Sequence, residues 1–363
     1  MDFWECAMEN LVTFKNFWSK KNVLVTGHTG FKGGWLSLWL DKIGANVSGY
    51  ALQPNKENAF YNLVYADGFV GPELFSDINN LKELSEFIKS QKPSVIFHLA
   101  AQPLVRKSYL DPLETFKTNS MGVVCLLEAI RHSGIEPTIL NITTDKVYKI
   151  NESNLAYQEN DPLGGNDPYS ASKSCSEIIT HSYRKTFFQE TAIKVATVRA
   201  GNVIGGGDMS KDRLIPDFFR SLLTNNPITI RNPKATRPWQ HILEPISGYI
   251  NLAEKLSQEN GNKYEGSWNF GPTNGVYDVG EIITKLSKMC GAKEFKELEN
   301  SNMLETQSLN LDSSKAIKKL DWQPKLKIDE ALKLTYDWFS ESLNQQDMRD
   351  FSLQQITDYQ INA

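Results

Sequence analysis

Hydrophobic positions in this chain alternate between short continuous runs and longer helical stripes. The first run is Val23, Leu24, Val25 and Thr26, and a glycine-rich turn from Gly27 to Gly33 follows it at once. Phe31, Trp35, Trp39 and Ile43 then recur every fourth residue, with Leu36 and Leu40 beside them, which is the spacing of one helix face. Gly44 is placed to close that helix as its C-cap. The same alternation predicts strands over 47–52, 68–75, 94–98, 138–143 and 194–198, and helices over 80–91, 112–132 and 168–188. Continuous apolar strands separated by amphipathic helices predict a parallel sheet covered on both faces. The expected class is α/β: a Rossmann-type doubly wound parallel sheet with a second, smaller mixed α/β substrate domain.

The pattern changes near residue 200. Gly205, Gly206 and Gly207 break the chain, and shorter helices and isolated strands, such as 228–230, follow. The division expected is 1–202 for the sheet domain, 203–343 for the second domain and 344–363 for a polar, peripheral tail. Residues 1–20 read as a lead-in docked through Phe14, Phe17 and Trp18, and parts of 237–265 are free to return to the first domain. No internal repeat or low-complexity segment interrupts this organisation.

Composition narrows the function. With 363 residues, 40% of them hydrophobic, there is ample material for two cores. A net charge of −4 disfavours a general nucleic-acid or membrane-surface binder. Cys6, Cys125, Cys175 and Cys290 are widely spaced with no C-x-x-C pair, which fits a reduced compartment and argues against a disulfide framework or a metal site. The first twenty residues carry Asp2, Glu5 and Glu9 and do not read as a signal peptide. No apolar run reaches the roughly 18 residues of a membrane span, so a cytoplasmic location is expected.

The turn after the first strand has the mechanics of a dinucleotide site. Gly27 permits the tight turn, Gly30 lets the backbone approach a pyrophosphate, and Gly33 lets helix and strand pack closely. The anion then meets the free N–H groups of the helix start, among His28, Thr29, Phe31 and Lys32. The second strand ends in Gly49, Tyr50, Ala51 and Leu52, without the carboxylate that commonly binds the adenosine ribose of NAD. No arginine for a 2′-phosphate stands there either, so NAD is the expected cofactor and NADP the alternative. Asp77 and Ile78 are placed to touch the adenine, or Asp77 caps the helix starting near Asn79 and Asn80. Leu99, Ala100, Ala101 and Gln102 end the fourth strand with mostly small residues, leaving room for a cofactor or simply packing closely.

A second cluster carries titratable groups. Asp167 and Pro168 read as N-cap and first residue of a helix, so Tyr169 and Lys173 share one face. An ammonium fixed beside a phenol favours the phenolate, and lowering its pKa by about 3 units takes roughly 4 kcal/mol. Thr144, Asp145 and Lys146 follow the fifth strand, where open α/β sheets bind ligands. Thr144 can hydrogen-bond a substrate hydroxyl together with Tyr169. From Lys211 to Arg237 there are six Lys or Arg and two Asp, a basic stretch in an acidic protein suited to a pyrophosphate. For Arg231 and Lys234 a solvated basic face is the lesser alternative.

Together these elements resemble the extended short-chain dehydrogenase/reductase superfamily in its nucleotide-sugar branch. Within that branch the blocks Gly27–Leu36, Ala101–Arg106, Arg199–Asp208, Lys211–Asp217, Arg231–Pro233 and Arg237–His241 resemble the CDP-glucose 4,6-dehydratase family. The likeness runs from about residue 16 to about residue 340. It implies dehydration of a CDP-sugar by hydride transfer to and from NAD. Tyr169 would take the C4 hydroxyl proton, Lys173 would support it, and Asp145 would protonate the C6 hydroxyl. Related dTDP-glucose dehydratases carry Glu beside that Asp as the C5 base. Here Lys146 stands in its place, as the base or as a stabiliser of the enolate. The likeness further implies that Asn119 joins the cofactor contacts and that Gln102, Asn202, Arg213 and Arg237 contact the substrate, with Leu214, Ile215 and Pro216 near the base. A homodimer or homotetramer through the helices near 112–132 and 168–188 is implied as well. An epimerase on the same scaffold and a non-catalytic NAD(P)-binding regulator are the alternatives.

Overall fold

The computed structural model describes residues 17–56, 59–150, 156–230, 232–273, 275–292, 295–297, 309–344 and 346–361. Phe14 and most of the lead-in, Cys6 and Arg231 lie outside these. In chain order the sheet domain builds β1 (Asn22–Thr26), α1 (Phe31–Lys42), β2 (Asn46–Ala51), α2 (Ala59–Val64), β3 (Glu73–Phe75), α3 (Leu81–Gln91) and β4 (Val95–His98). It continues with α4 (Val105–Leu110), α5 (Pro112–Phe116), α6 (Gly122–Arg131), β5 (Thr138–Ile142), α7 (Pro168–Thr186) and β6 (Lys194–Ala200). Then come α8 (Leu214–Leu223), α9 (Leu243–Ser257), β7 (Gly266–Phe270), α10 (Val279–Cys290), α11 (Ser314–Leu320), α12 (Ile328–Leu343) and α13 (Met348–Ile361).

Seven parallel strands form one sheet in the order β7-β6-β5-β4-β1-β2-β3. Strand order reverses between β1 and β4, and ligands of doubly wound sheets bind outside the carboxyl ends of the strands at such a reversal. One apolar layer runs through Val23, Val25, Trp35, Leu36, Val95 and Phe97 into the second half of the chain. The opposite face packs Leu24, Ile96, Ile139 and Val195 against Leu84, Ile88, Leu126 and Ile130 of α3 and α6.

Several expectations are corrected. The strand expected over 68–75 shortens to β3, because Phe69 turns aside into an aromatic cluster with His28 and Tyr65. The helix expected over 112–132 is α5 and α6 joined through a π-helical turn, Lys117–Met121. β6 is not the last strand of the sheet. β7, from the stretch assigned to the second domain, pairs with β6, while α9, inside the 237–265 stretch left free to return, packs against the same sheet. The remainder of that stretch forms two-residue pairings, Val203–Ile204 with Gln240–His241 and Thr229–Ile230 with Lys296–Glu297 among them.

The tail is not peripheral. In α13, Met348, Ser352, Gln355, Ile356 and Tyr359 are buried, a helical stripe disguised by its polar members. Tyr359 donates its hydroxyl to buried Glu244 at 2.7 Å and sets its ring edge-on to Trp39. That cover leaves α1 buried all round from Gly33 to Leu40.

Candidate active site

Site geometry begins with the turn after β1. Gly27 has φ +73°, and a Cβ there would lie 2.7 Å from the Ala100 nitrogen, where the chain leaves β4 past Leu99 and Ala101. At Gly33 a Cβ would meet the Gly27 carbonyl oxygen at 2.2 Å. At Gly30 the nearest atom would be that same oxygen at 3.2 Å, so space opens on its outer side. Gly30 is the N-cap of α1 and makes no side-chain cap, which leaves the first N–H groups for an anion. The cradle fits a dinucleotide pyrophosphate.

Not every side chain expected on the cofactor faces it. His28 is fully buried beneath β2 and hydrogen-bonds Glu73 through Nε2 at 2.9 Å, while Tyr61 donates to the same carboxylate at 2.6 Å. Burial holds its pKa below the ordinary value against the pull of Glu73. Thr29 donates to the Leu52 carbonyl at 3.2 Å, and Phe31 packs against the core. Asp77 accepts from the Asn79 backbone and side chain at 2.9 Å without capping α3, whose N-cap is Asn80 accepting from Glu83 N, and Ile78 is buried in the core. Gln102 spends its side chain locally, donating to Leu104 O and Thr115 Oγ1 and accepting from Leu104 N. Asn119 accepts from Gln102 N and donates to Gln102 O and Ser172 Oγ, tying the loop after β4 to α7. These last two act as brackets of the site, because each side-chain amide already has protein partners.

A cleft of about 370 Å³ opens beyond the ends of β5 and β6, within the range of small-molecule sites. Lys32, Thr144, Asp145, Lys146, Tyr169, Asn202, Arg213, Leu214, Ile215, Pro216 and Arg237 all line it. Asp167 caps α7 by accepting from Ser170 N at 2.9 Å and Ser170 Oγ at 2.6 Å, and Pro168 follows at the first helical position. That start aims buried Tyr169 into the cleft. Lys173, one turn on, donates to the Ile142 carbonyl at 3.1 Å. Thr144 caps the short turn Asp145–Val147 and donates to Asp145 Oδ1 at 3.0 Å.

Electrostatics correct the expected phenolate. Burial pushes the Tyr169 phenol up to about 12, against the Thr144 hydrogen bond and the charge of Arg213. Lys173 is itself pushed down to about 8 by burial and by the charge of Lys32. Lys32 is likewise lowered to about 8, by burial and then by Arg213. It lines the cleft, where the charges of Asp145 and Asp208 act on it, rather than the cradle alone. Burial raises Asp145 above the ordinary carboxylate range, with Lys146, Thr144, Arg237 and Lys32 pulling the other way. Arg213 donates to buried Asp208 at 2.9 Å, and Arg106 reaches across the cleft mouth to Asp212 at 2.6 Å.

Sequence reasoning missed the support behind this cleft. Arg199 of β6 pairs bidentately with Glu177 of α7 (Nε–Oε1 and Nη2–Oε2, both 2.9 Å), and both side chains are almost fully buried. Glu177 also accepts from Thr143 and Thr197, and Arg199 donates to Tyr148. Glu177 lies one helical turn beyond Lys173 on the same face, the spacing that could have exposed it. Among the described residues no group of His, Cys, Asp and Glu is arranged for a metal.

Sheet, cradle and cleft define a dinucleotide-binding protein of the Rossmann class with a second pocket for a polar ligand. The chain belongs to the GDP-mannose 4,6 dehydratase family, whose model matches residues 24–335. It is 44% identical over 352 residues, 95% of this chain and 98% of the other, to the CDP-glucose 4,6-dehydratase of Salmonella typhimurium. The UDP-glucuronate 4-epimerase of Thermodesulfobacterium geofontis is 26% identical, over 88% of this chain and 96% of that protein. Among solved structures, the UDP-glucuronic acid 4-epimerase of Bacillus cereus, in complex with UDP-glucuronic acid and NAD, matches with TM-score 0.76 and 26% identity. It covers 88% of this chain and 99% of that one. The UDP-glucose 4-epimerase of Thermotoga maritima, solved with UDP-glucose, is 23% identical with TM-score 0.76, covers 89% and 99%, and shares the fold.

Proposed function

We propose that this protein is a cytoplasmic CDP-D-glucose 4,6-dehydratase, forming CDP-4-dehydro-6-deoxy-D-glucose and water for deoxysugar synthesis. The near full-length likeness to a CDP-glucose 4,6-dehydratase supports the substrate. The observation that carries the reaction type is Asp145, a buried carboxyl one hydrogen bond from Thr144 in the cleft that holds Tyr169. Epimerisation at C4 needs no acid for a departing hydroxyl, whereas dehydration does.

In this reading the cradle at Gly27, Gly30 and Gly33 holds NAD, which supplies a hydride acceptor that later returns the hydride. NAD is preferred to NADP because Ala51 and Leu52 end β2 with no cation for a 2′-phosphate. Tyr169 accepts the C4 hydroxyl proton, and Thr144 orients that hydroxyl. Lys146 removes the C5 proton once the C4 ketone has acidified it. Asp145 protonates the C6 hydroxyl as water leaves, a task that a carboxyl raised by burial can perform. Asn202, Arg213 and Arg237 bind the diphosphate, and Leu214, Ile215 and Pro216 flank the base. A homodimer is the assembly we favour, because Leu113, Met121 and Ile178 stand exposed on the helices from 112 to 131 and from 168 to 186. No helix among the described residues is long and apolar enough to cross a membrane.

Purified protein incubated with NAD and CDP-, dTDP-, UDP- and GDP-glucose tests the assignment. A 4-keto-6-deoxy product from the CDP-sugar is expected, and it should vanish in Tyr169→Phe. A C4 epimer instead, or no conversion of any sugar nucleotide, would remove the dehydratase assignment.

A further inference from the structure

Arg106 and Asp212 face each other across the mouth of the cleft, and both line it. Arg106 belongs to α4, which follows β4 of the sheet, and Asp212 stands two residues before α8. Arg106 Nη1 donates to Asp212 Oδ1 at 2.6 Å, with side chains 35% and 40% exposed. Asp212 holds a left-handed backbone, φ +60°, a conformation kept only where the surroundings demand it. The bridge occupies one corner of the guanidinium. Arg106 Nε is buried and has no hydrogen-bond partner among the described residues. Such an orphaned N–H calls for an acceptor from outside the chain. Nε and Nη2 form the edge with which a guanidinium grips two oxygens at once, as Arg199 grips Glu177.

The cleft lining balances five Lys or Arg against five Asp. Arg213 is paired there with Asp208, and Arg106 with Asp212. A ligand anion therefore gains a guanidinium only by competing with a carboxylate. The two pairs differ in how readily they yield, because Asp208 is 6% exposed whereas Asp212 is 40% exposed and can turn to water. A bridge that open contributes little. We propose that Arg106 is a ligand of the substrate diphosphate and rests on Asp212 until the sugar nucleotide arrives. On binding, the guanidinium leaves Asp212 and turns its Nε–Nη2 edge to two phosphate oxygens, while Asp212 turns to solvent. Asp212 thus holds Arg106 at the mouth and competes with the substrate for it. The inference rests on reading the cleft as a CDP-sugar site. It adds a guanidinium from the sheet domain to Arg213 and Arg237, so that the diphosphate is clamped from both walls.

Calorimetric titration of CDP into the NAD-saturated protein tests the exchange, with KM and kcat for CDP-glucose as a second readout. Arg106→Gln should weaken CDP at least tenfold, with the loss in turnover falling on KM rather than kcat. Added salt should weaken CDP binding less in that variant than in wild type, since one charge contact is gone. Asp212→Asn should do the opposite and tighten CDP about threefold or more, because the competing carboxylate is removed. A fixed bridge that merely shapes the mouth predicts the same direction for both variants, since each breaks it. Weakening by both substitutions, or wild-type affinity in Arg106→Gln, would overturn the proposal. Failure of wild type to bind CDP would overturn the substrate reading and this proposal together. Binding of CDP without a 4-keto-6-deoxy product from CDP-glucose would remove the dehydratase assignment alone, and the opposed shifts in CDP affinity would still support Arg106 as the phosphate ligand.

Discussion

Glu177→Leu isolates the charge pair beneath the cleft. In wild type the Arg199 guanidinium sits 2% exposed, with two bonds to Glu177 and others to Tyr148, Glu159 O and Ser267. Removing the carboxylate leaves that charge buried without a counter-ion, and breaking one member of such a pair costs about 3–5 kcal/mol. That is roughly two to nearly four powers of ten in the folding constant. Replacing both members, Glu177→Leu with Arg199→Met, removes the uncompensated charge; Thr143 and Thr197 keep Val198 O and Ser267 Oγ as partners, and the neutral Glu159 carbonyl loses its Arg199 donor. The double variant should therefore recover at least about 1 kcal/mol relative to the single one. Urea unfolding of the single and double variants measures the coupling. The pair also sets a pH dependence. Burial pushes the Glu177 carboxyl up, but the hydrogen bonds and charge of Arg199 and the two threonine hydroxyls outweigh it, and its pKa lies below the ordinary value. Its stabilisation is thus fully present above the unfolded pKa of about 4.3 and is lost as pH falls through the lower folded value. Glu177→Leu should lose part of that acid-side slope. A single variant costing less than about 1 kcal/mol, or a double variant less stable than the single, would show that water reaches the pair and that the burial argument fails.

Two further outcomes follow from the geometry. Gly30→Ala should keep its stability, since only the Gly27 oxygen at 3.2 Å lies near the new methyl, yet bind NAD at least tenfold more weakly; Gly33→Ala, forced against backbone at 2.2 Å, should lose both. Calorimetry with NAD beside thermal unfolding separates them, and wild-type affinity in Gly30→Ala would refute the cradle. Lys146→Ala should slow deuterium incorporation at C5 by about 10²-fold or more while cofactor reduction persists; unchanged exchange would leave C5 deprotonation to another group.

The parts of the fold legible in the sequence were those in which one local rule decides the outcome. Val23 to Thr26 and the stripe through Trp35 and Trp39 announce β1 and α1 because both elements are buried, Gly27 turns at positive φ, and Gly33 is demanded by the Gly27 backbone a few residues away. Asp167 and Pro168 start α7 by a cap that uses only neighbouring atoms. What stayed hidden depends on partners far along the chain. β7 has the length of any short strand, and only its pairing with β6 places it in the sheet. The burial of α13 depends on Glu244, more than a hundred residues earlier, which accepts from Tyr359 and turns a polar tail into a cover for α1.

The same distinction separates where the expected residues lie from how they are charged. Spacing along a helix places Tyr169 and Lys173 on one face, and Tyr169 does line the cleft, with Lys173 one turn behind it. Whether one ionises the other depends on where the ammonium points and how dry the phenol is, which no local pattern encodes. Lys173 turns to the Ile142 carbonyl, and its own pKa is lowered by burial and then by the charge of a second lysine, Lys32. Gln102 and Asn119 fail in the same way: both residue types suit ligand contact, and both find a protein partner first. A buried polar side chain is available to a ligand only after nearby backbone groups are satisfied, because an unmade internal hydrogen bond costs about 1–3 kcal/mol. By that criterion Asp145, with one oxygen on Thr144 and the other unpaired, is the group in this cleft most in need of a partner from outside the chain.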